Sequence, residues 1–146
     1  LPSDLLAAFL YAQFEVHERI QGIRRRIWET YAARLGDWAA ENGVQMPHVP
    51  EHCEQAYHMF YLLMPSLETR QAFIAHLKAQ GILAVFHYLP LHLSEMGLKF
   101  GGRVGDCPVT ERVSDQLVRL PFFNDLDEAL QGRVIEAILA FKVDHT

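Results

Sequence analysis

Apolar residues recur at helical spacing along the start of the chain. Leu6, Phe9, Val16, Ile20, Ile23, Ile27, Tyr31, Leu35 and Trp38 stand three, four or seven positions apart, which aligns them on one stripe of a long amphipathic helix. Ser3 or Asp4 precedes the stripe, where a short side-chain oxygen accepts a backbone N–H that the first helical turn leaves unpaired. The stripe outruns an average helix by several turns, so a bend is expected near Gly22 or Gly36. Gly43, Pro47 and Pro50 then mark a loop.

The pattern shortens and changes period at Ala56. "AYHMFYLLMP", residues 56–65, packs aromatic and aliphatic side chains into a strand's length and stops at a proline, which predicts a strand buried on at least one face. "SLETRQAFIAHLKAQG" returns to helical spacing through Leu67, Phe73, Ile74 and Leu77, with Ser66 as the cap and Gly81 where a helix-ending glycine belongs. "ILAVFHY", residues 82–88, reads as a second strand. Pro90 to Gly105 reads as irregular, and Gly97, Gly101, Gly102 and Gly105 make it a mobile or ligand-shaped loop. "CPVTERVSDQLV" predicts a helix with Pro108 in its first turn. "RLPFF" supplies a short third strand, and "DEALQGRVIEAILAFKV" a last helix through Leu130, Val134, Ile138 and Phe141. The order is α-β-α-β-loop-α-β-α. It implies an α/β two-layer sandwich: a small, roughly three-stranded sheet, helices mainly on one face, and a long N-terminal helix as a brace. Residues 1–146 form a single domain on this reading, without internal repeat or second-domain boundary.

Composition narrows the function classes. Half of the 146 residues are hydrophobic and 21% are charged, a globular balance with one core's worth of chain. No apolar run approaches the roughly 20 residues that span a bilayer. The net charge is −5, and Arg24, Arg25 and Arg26 point three ways on a helix, so no basic face is offered to nucleic acid. Cys53 and Cys107 lack any pairing pattern and read as free thiols of a reducing, cytoplasmic setting.

Candidate chemistry is sparse. His48, His52, Cys53 and His58 are close in sequence, but loop and strand would have to converge for them to hold zinc, so no metal site is expected. No nucleophile elbow, dinucleotide fingerprint or phosphate loop occurs. Asp125 and Asp127 suit a helix start. What remains is "VFHYLPLH": His87 and Tyr88 end the second predicted strand, and His92 follows the Pro90 turn. Strand ends open into clefts, which makes these residues site candidates. A hydrogen-bonded, half-buried histidine pair supporting the turn is the alternative.

Four ordered segments resemble the DegT/StrS-type sugar aminotransferases. "PSDLLAAFLYAQFE" is similar to the helix that follows the large domain of that family. "AYHMFYLLMP…R…FIAHLKAQGI" resembles its first C-terminal strand and helix, "FHYLPLH" its HY-x-P-x-H segment, and "CPVTERVSDQLVRLPFF" its helix-to-strand step. The resemblance implies the C-terminal small domain of a fold-type I transferase dependent on pyridoxal 5′-phosphate. It implies an N-terminal large domain as partner, a homodimer, and amino transfer from glutamate to a dTDP-linked 4-keto-6-deoxyhexose. His87, Tyr88, His92 and Arg103 are its implied substrate-binding residues. The lysine that bonds the cofactor belongs to the large domain, and Lys78, Lys99 and Lys142 have ordinary solvated surroundings in the sequence. No catalytic residue is therefore assigned within this chain, no cofactor contact is assigned to any position, and the chain alone is expected to be inactive. A free-standing α/β binding or dimerisation module is the competing reading.

Overall fold

A computed structural model describes residues 2–143; Leu1 and residues 144–146, the ends of the expected single domain, lie outside the described residues. The first surprise is at the N-terminus. The stripe from Leu6 to Trp38 does not run along one helix bent at a glycine. It is divided between α1 (Asp4–Phe14) and α2 (His17–Glu41). Val16 leaves helical geometry with φ −121° and ψ 14°. The Nδ1 of His17 bonds the Phe14 carbonyl at 2.8 Å, which satisfies an end group that the next turn of a continuous helix would have taken. Gly22 and Gly36 both lie inside α2, so neither is the hinge. Only the second half of the stripe is core: Ile27, Tyr31, Leu35 and Trp38 are buried, whereas α1 buries nothing.

The sheet has three short strands: β1 (Tyr61–Leu63), β2 (Val85–Phe86) and β3 (Leu117–Arg119). Their spatial order is β1-β3-β2, with both pairings antiparallel. β3 thus sits between the two strands that α3 (Leu67–Ala79) connects. All are shorter than the apolar runs suggested, and the third is Leu117–Arg119 rather than "RLPFF". Hydrophobicity marks what is buried, but a ladder needs a partner at each residue, and proline at 65, 90 and 121 removes donors there. Hydrogen bonds from Leu120 N to the Phe60 carbonyl and from Met64 N to the Gln116 carbonyl extend the β1–β3 contact past the regular ladder.

Alternation then separates the faces. Phe60, Leu62, Met64, Ala84, Val118 and Leu120 are buried on one side, where α2, α3 and α6 (Glu128–Leu139) form the second layer. Phe60 lies against Tyr31 and Trp28, with ring centroids 5.2 and 5.4 Å away. The two-layer sandwich with helices mainly on one face is what the structure has. Caps fall where the sequence placed them: Ser66 Oγ accepts from Thr69 N, Asp127 Oδ1 accepts from Leu130 N, and Gly81 adopts φ 75° after α3. In α6, Val134 and Ile138 are buried and Phe141 packs on the core just beyond the helix, but Leu130 is exposed. No helix is long and apolar enough to cross a membrane among the described residues.

Candidate functional site

Pro90–Gly105 is not the irregular loop that its glycines suggest. Leu91–Leu93 forms a 3-10 turn and Glu95–Lys99 a short helix, α4, capped by Ser94 Oγ accepting from Gly97 N. The glycines serve close packing as well as turning. A Cβ at Gly97 would collide with the Leu91 and His92 carbonyls, and one at Gly102 with the His92 carbonyl. Only Gly101 and Gly105, at φ 91° and 93°, need glycine for the backbone itself.

His92 faces Glu111, in the first turn of α5 (Pro108–Gln116), and donates from Nε2 to its Oε1 at 2.9 Å. The same carboxylate accepts from the backbone N–H groups of Gly105 and Cys107. The hydrogen bond from His92 is the main reason that the Glu111 carboxyl sits below the ordinary carboxylate range; partial burial opposes it, and the two backbone donors assist. Both side chains are 17% exposed. The pair ties the Pro90 turn, the glycine segment and α5 into one unit. Arg103 lies on that segment, exposed, with its backbone N–H bonded to Asp106 Oδ2 at 2.8 Å.

His87 and Tyr88 stand apart from this latch. Their rings meet edge to face at 4.5 Å, and Ser114 Oγ donates to the Tyr88 carbonyl. With Pro90, Leu91 and Val113 they line a cleft between the strand end and α5. Tyr88 is 68% exposed. The two histidines of the motif thus have different surroundings: His92 is bonded within the loop, while His87 Nδ1 is buried without a hydrogen-bond partner.

Strand alternation returns His87 to the sheet face away from the helices, the side that carries Tyr61, Arg119 and Val85 across the three strands. Arg119 is the residue that the sequence analysis passed over. Its guanidinium lies 5.9 Å from the Tyr88 ring centroid. Its Nε is buried and without a partner, and it enters no ion pair among the described residues. Burial holds the His87 imidazolium below its ordinary pKa, and the positive Arg119 and then His58 push it further down. His58 and Arg119 also line a second cleft with Val85, Pro121 and Phe122. One wall of it is fixed by Arg24, whose guanidinium donates to the Tyr57 and His58 carbonyls and lies 5.0 Å from the Phe122 ring centroid. The signal in the sequence was an arginine alternating with buried Val118 and Leu120; Glu111 signalled itself only as an acid in a helix's first turn.

The remaining candidates do not assemble. Among the described residues no three His, Cys, Asp or Glu side chains are placed to hold a metal ion. Cys53 and Cys107 are free and exposed. Arg24 turns to the 57–58 segment, Arg25 to Glu29 and Arg26 to the Leu126 carbonyl, so the basic run has no common face. Lys78, Lys99 and Lys142 are all exposed, and Lys99 is bonded to Glu95. These lysines therefore do not fit a cofactor-bonding role, which calls for a desolvated amine.

Comparison with known proteins places this geometry. A pleiotropic regulatory protein of Geobacillus stearothermophilus is 30% identical over 139 residues, covering 94% of this chain and 36% of that protein. A dTDP-3-amino-3,4,6-trideoxy-alpha-D-glucose transaminase of Micromonospora megalomicea is 30% identical over 118 residues, covering 79% and 30%. The crystal structure of S. venezuelae DesV in complex with a ketimine intermediate superposes with a TM-score of 0.81 at 27% identity, covering 91% and 34%. The chain thus spans about a third of the length of the relatives it matches. Sugar aminotransferases of this kind use pyridoxal 5′-phosphate. The profile of the DegT/DnrJ/EryC1/StrS aminotransferase family matches residues 3–139, a span that includes both clefts and the latch, and this chain belongs to that family.

Proposed function

We infer that the chain is the C-terminal part of a sugar-nucleotide aminotransferase that moves an amino group from glutamate to the 4-keto carbon of a dTDP-linked 6-deoxyhexose. The specific activity inferred is that of a dTDP-4-amino-4,6-dideoxygalactose transaminase, cytoplasmic, homodimeric and serving cell-surface polysaccharide synthesis. The observation that carries this reading is the family match across residues 3–139. A relative named for a dTDP-amino-sugar transaminase supports the substrate class. The wording of "LPSDLLAAFL" and "GGRVGDCPVTE" supports the narrower assignment by resemblance.

Pyridoxal 5′-phosphate supplies the electron sink for such chemistry. The residues described here do not provide its attachment, so the role of this chain is to bind and orient substrate. His87, in the cleft lining, hydrogen-bonds a sugar hydroxyl through Nε2, and Tyr88 covers the sugar's apolar face. His92 has given Nε2 to Glu111 and keeps Nδ1 for the substrate while holding the segment that bears Arg103. Arg103 meets the pyrophosphate by charge-assisted hydrogen bonds.

The test is isotope transfer in the complete enzyme that carries this chain. With 15N-labelled glutamate and the dTDP-4-keto-6-deoxyhexose, label is expected at C4 of the sugar nucleotide. His87→Ala should slow turnover and Arg103→Ala should chiefly raise KM for the sugar nucleotide. Absence of label, or transfer only to a UDP-linked sugar, contradicts the assignment.

A further inference from the structure

We propose that Arg119, with His87 and His58 beside it on the uncovered sheet face, forms a seat for an oxyanion, either a carboxylate or a phosphate, distinct from the pyrophosphate contact assigned to Arg103. The proposal rests on the aminotransferase reading for the identity of the ligand, and on the structure alone for the existence of the seat.

Three observations point to an anion. Arg119 is central on its face: Tyr61 and Val85 flank it across the two ladders, so its guanidinium rises from the middle of the sheet rather than from a frayed edge. The neighbouring groups that can carry charge are cationic, His58 and His87, and among the described residues no carboxylate pairs with Arg119. Finally, Arg119 Nε and His87 Nδ1 are both buried and both unpaired. A buried polar atom without a partner is costly, and most such atoms in folded proteins find one. Two on adjacent side chains, one of them a guanidinium, are satisfied together by one anionic group with more than one acceptor oxygen.

The fork of a guanidinium presents parallel N–H donors that match a carboxylate or a phosphate. The Tyr88 ring centroid lies 5.9 Å from it, within the range of a cation–π contact. His58 is held by its backbone through Arg24, which keeps its ring at the edge of the cleft. The amino donor's carboxylate and a phosphate of the sugar nucleotide share the chemistry this seat recognises.

The experiment compares the complete enzyme with its Arg119→Met and Arg119→Lys variants, using glutarate, dTDP and thymidine as probes in equilibrium titrations. Melting temperature serves as the folding control. Arg119→Met is expected to weaken one oxyanion probe tenfold or more, with partial recovery in Arg119→Lys and no change for thymidine. Loss confined to glutarate identifies the donor carboxylate, and loss confined to dTDP identifies the phosphate. Equal affinity of the folded Arg119→Met enzyme for both oxyanions overturns the proposal. Should that variant fail to fold, the Arg119 Nε–H resonance of the unmodified protein decides: a saturable shift with glutarate or dTDP supports the seat, and no shift with either overturns it. Oxyanion binding that depends on Arg119 in an enzyme that aminates no sugar nucleotide would keep the seat and remove the functional reading.

Discussion

α1 and α2 are consecutive, share one apolar stripe in the sequence, and have opposite fates. In α2, Ile27, Tyr31 and Leu35 are fully buried under the sheet. In α1, Leu5, Phe9, Tyr11 and Phe14 are each more than 60% exposed. Charge explains the difference. α2 carries Glu, Arg and Asp on its outer side, as an amphipathic helix at a domain surface must. α1, "DLLAAFLYAQF", carries one acid and is apolar nearly all round, the composition of a helix meant to be covered on several sides. The same contrast divides the sheet, whose helix-facing side is closed and whose other side holds Arg119 and His87. The chain spans about a third of its relatives' length, and the aminotransferase reading proposed above assigns both open surfaces to contact with the rest of that enzyme and its substrates.

The comparison is broken or sharpened by mutation. Phe60→Ala removes a fully buried ring between Trp28 and Tyr31 and should cost about 3–5 kcal/mol in denaturant unfolding of this chain. Phe9→Ala should change the same measurement by less than about 0.5 kcal/mol. Equal losses would place α1 within this chain's own core and end the contrast.

Asp127→Ala deletes the acceptor for Leu130 N and should cost about 1 kcal/mol. A neutral outcome would mean that α6 is held by Val134, Ile135 and Ile138 alone.

The latch gives the smallest effect, read by pH. The Glu111 carboxyl is depressed in the folded state. Its contribution is therefore present above the unfolded value of about 4.3 and is lost as pH falls through the lower folded value. The difference in melting temperature between the natural protein and Glu111→Gln should shrink as the buffer is taken from neutral to below about pH 4. A difference that stays constant over that range would mean that the carboxylate's charge contributes nothing to the latch.

Much of the fold was legible because local signals agreed. Ser66 and Gly81 bracket α3, Pro108 opens α5, and Asp127 starts α6, each with a backbone group it serves. The α1–α2 break was not legible, because periodicity counts residues and cannot detect one turn in which His17 takes a carbonyl. Glycines misled at 97 and 102, where they mark close packing against His92 rather than looseness. In the candidate site, the motif drew attention to His87 and His92 together, yet their surroundings differ because Glu111, 19 residues beyond His92, reaches only one of them. Arg119 was hidden among apolar neighbours; its meaning depends on the register that sets it beside His87.

Amide hydrogen exchange tests the division between closed and open surfaces most directly, measured on this chain and on the complete enzyme that carries it. In the chain alone, amides of α1 should exchange far faster than those of Ile27 to Trp38 in α2, and in the complete enzyme α1 should become protected on a scale approaching α2. Protection of α1 that is already equal to α2 in the monomeric chain, and unchanged in the complete enzyme, would contradict the account.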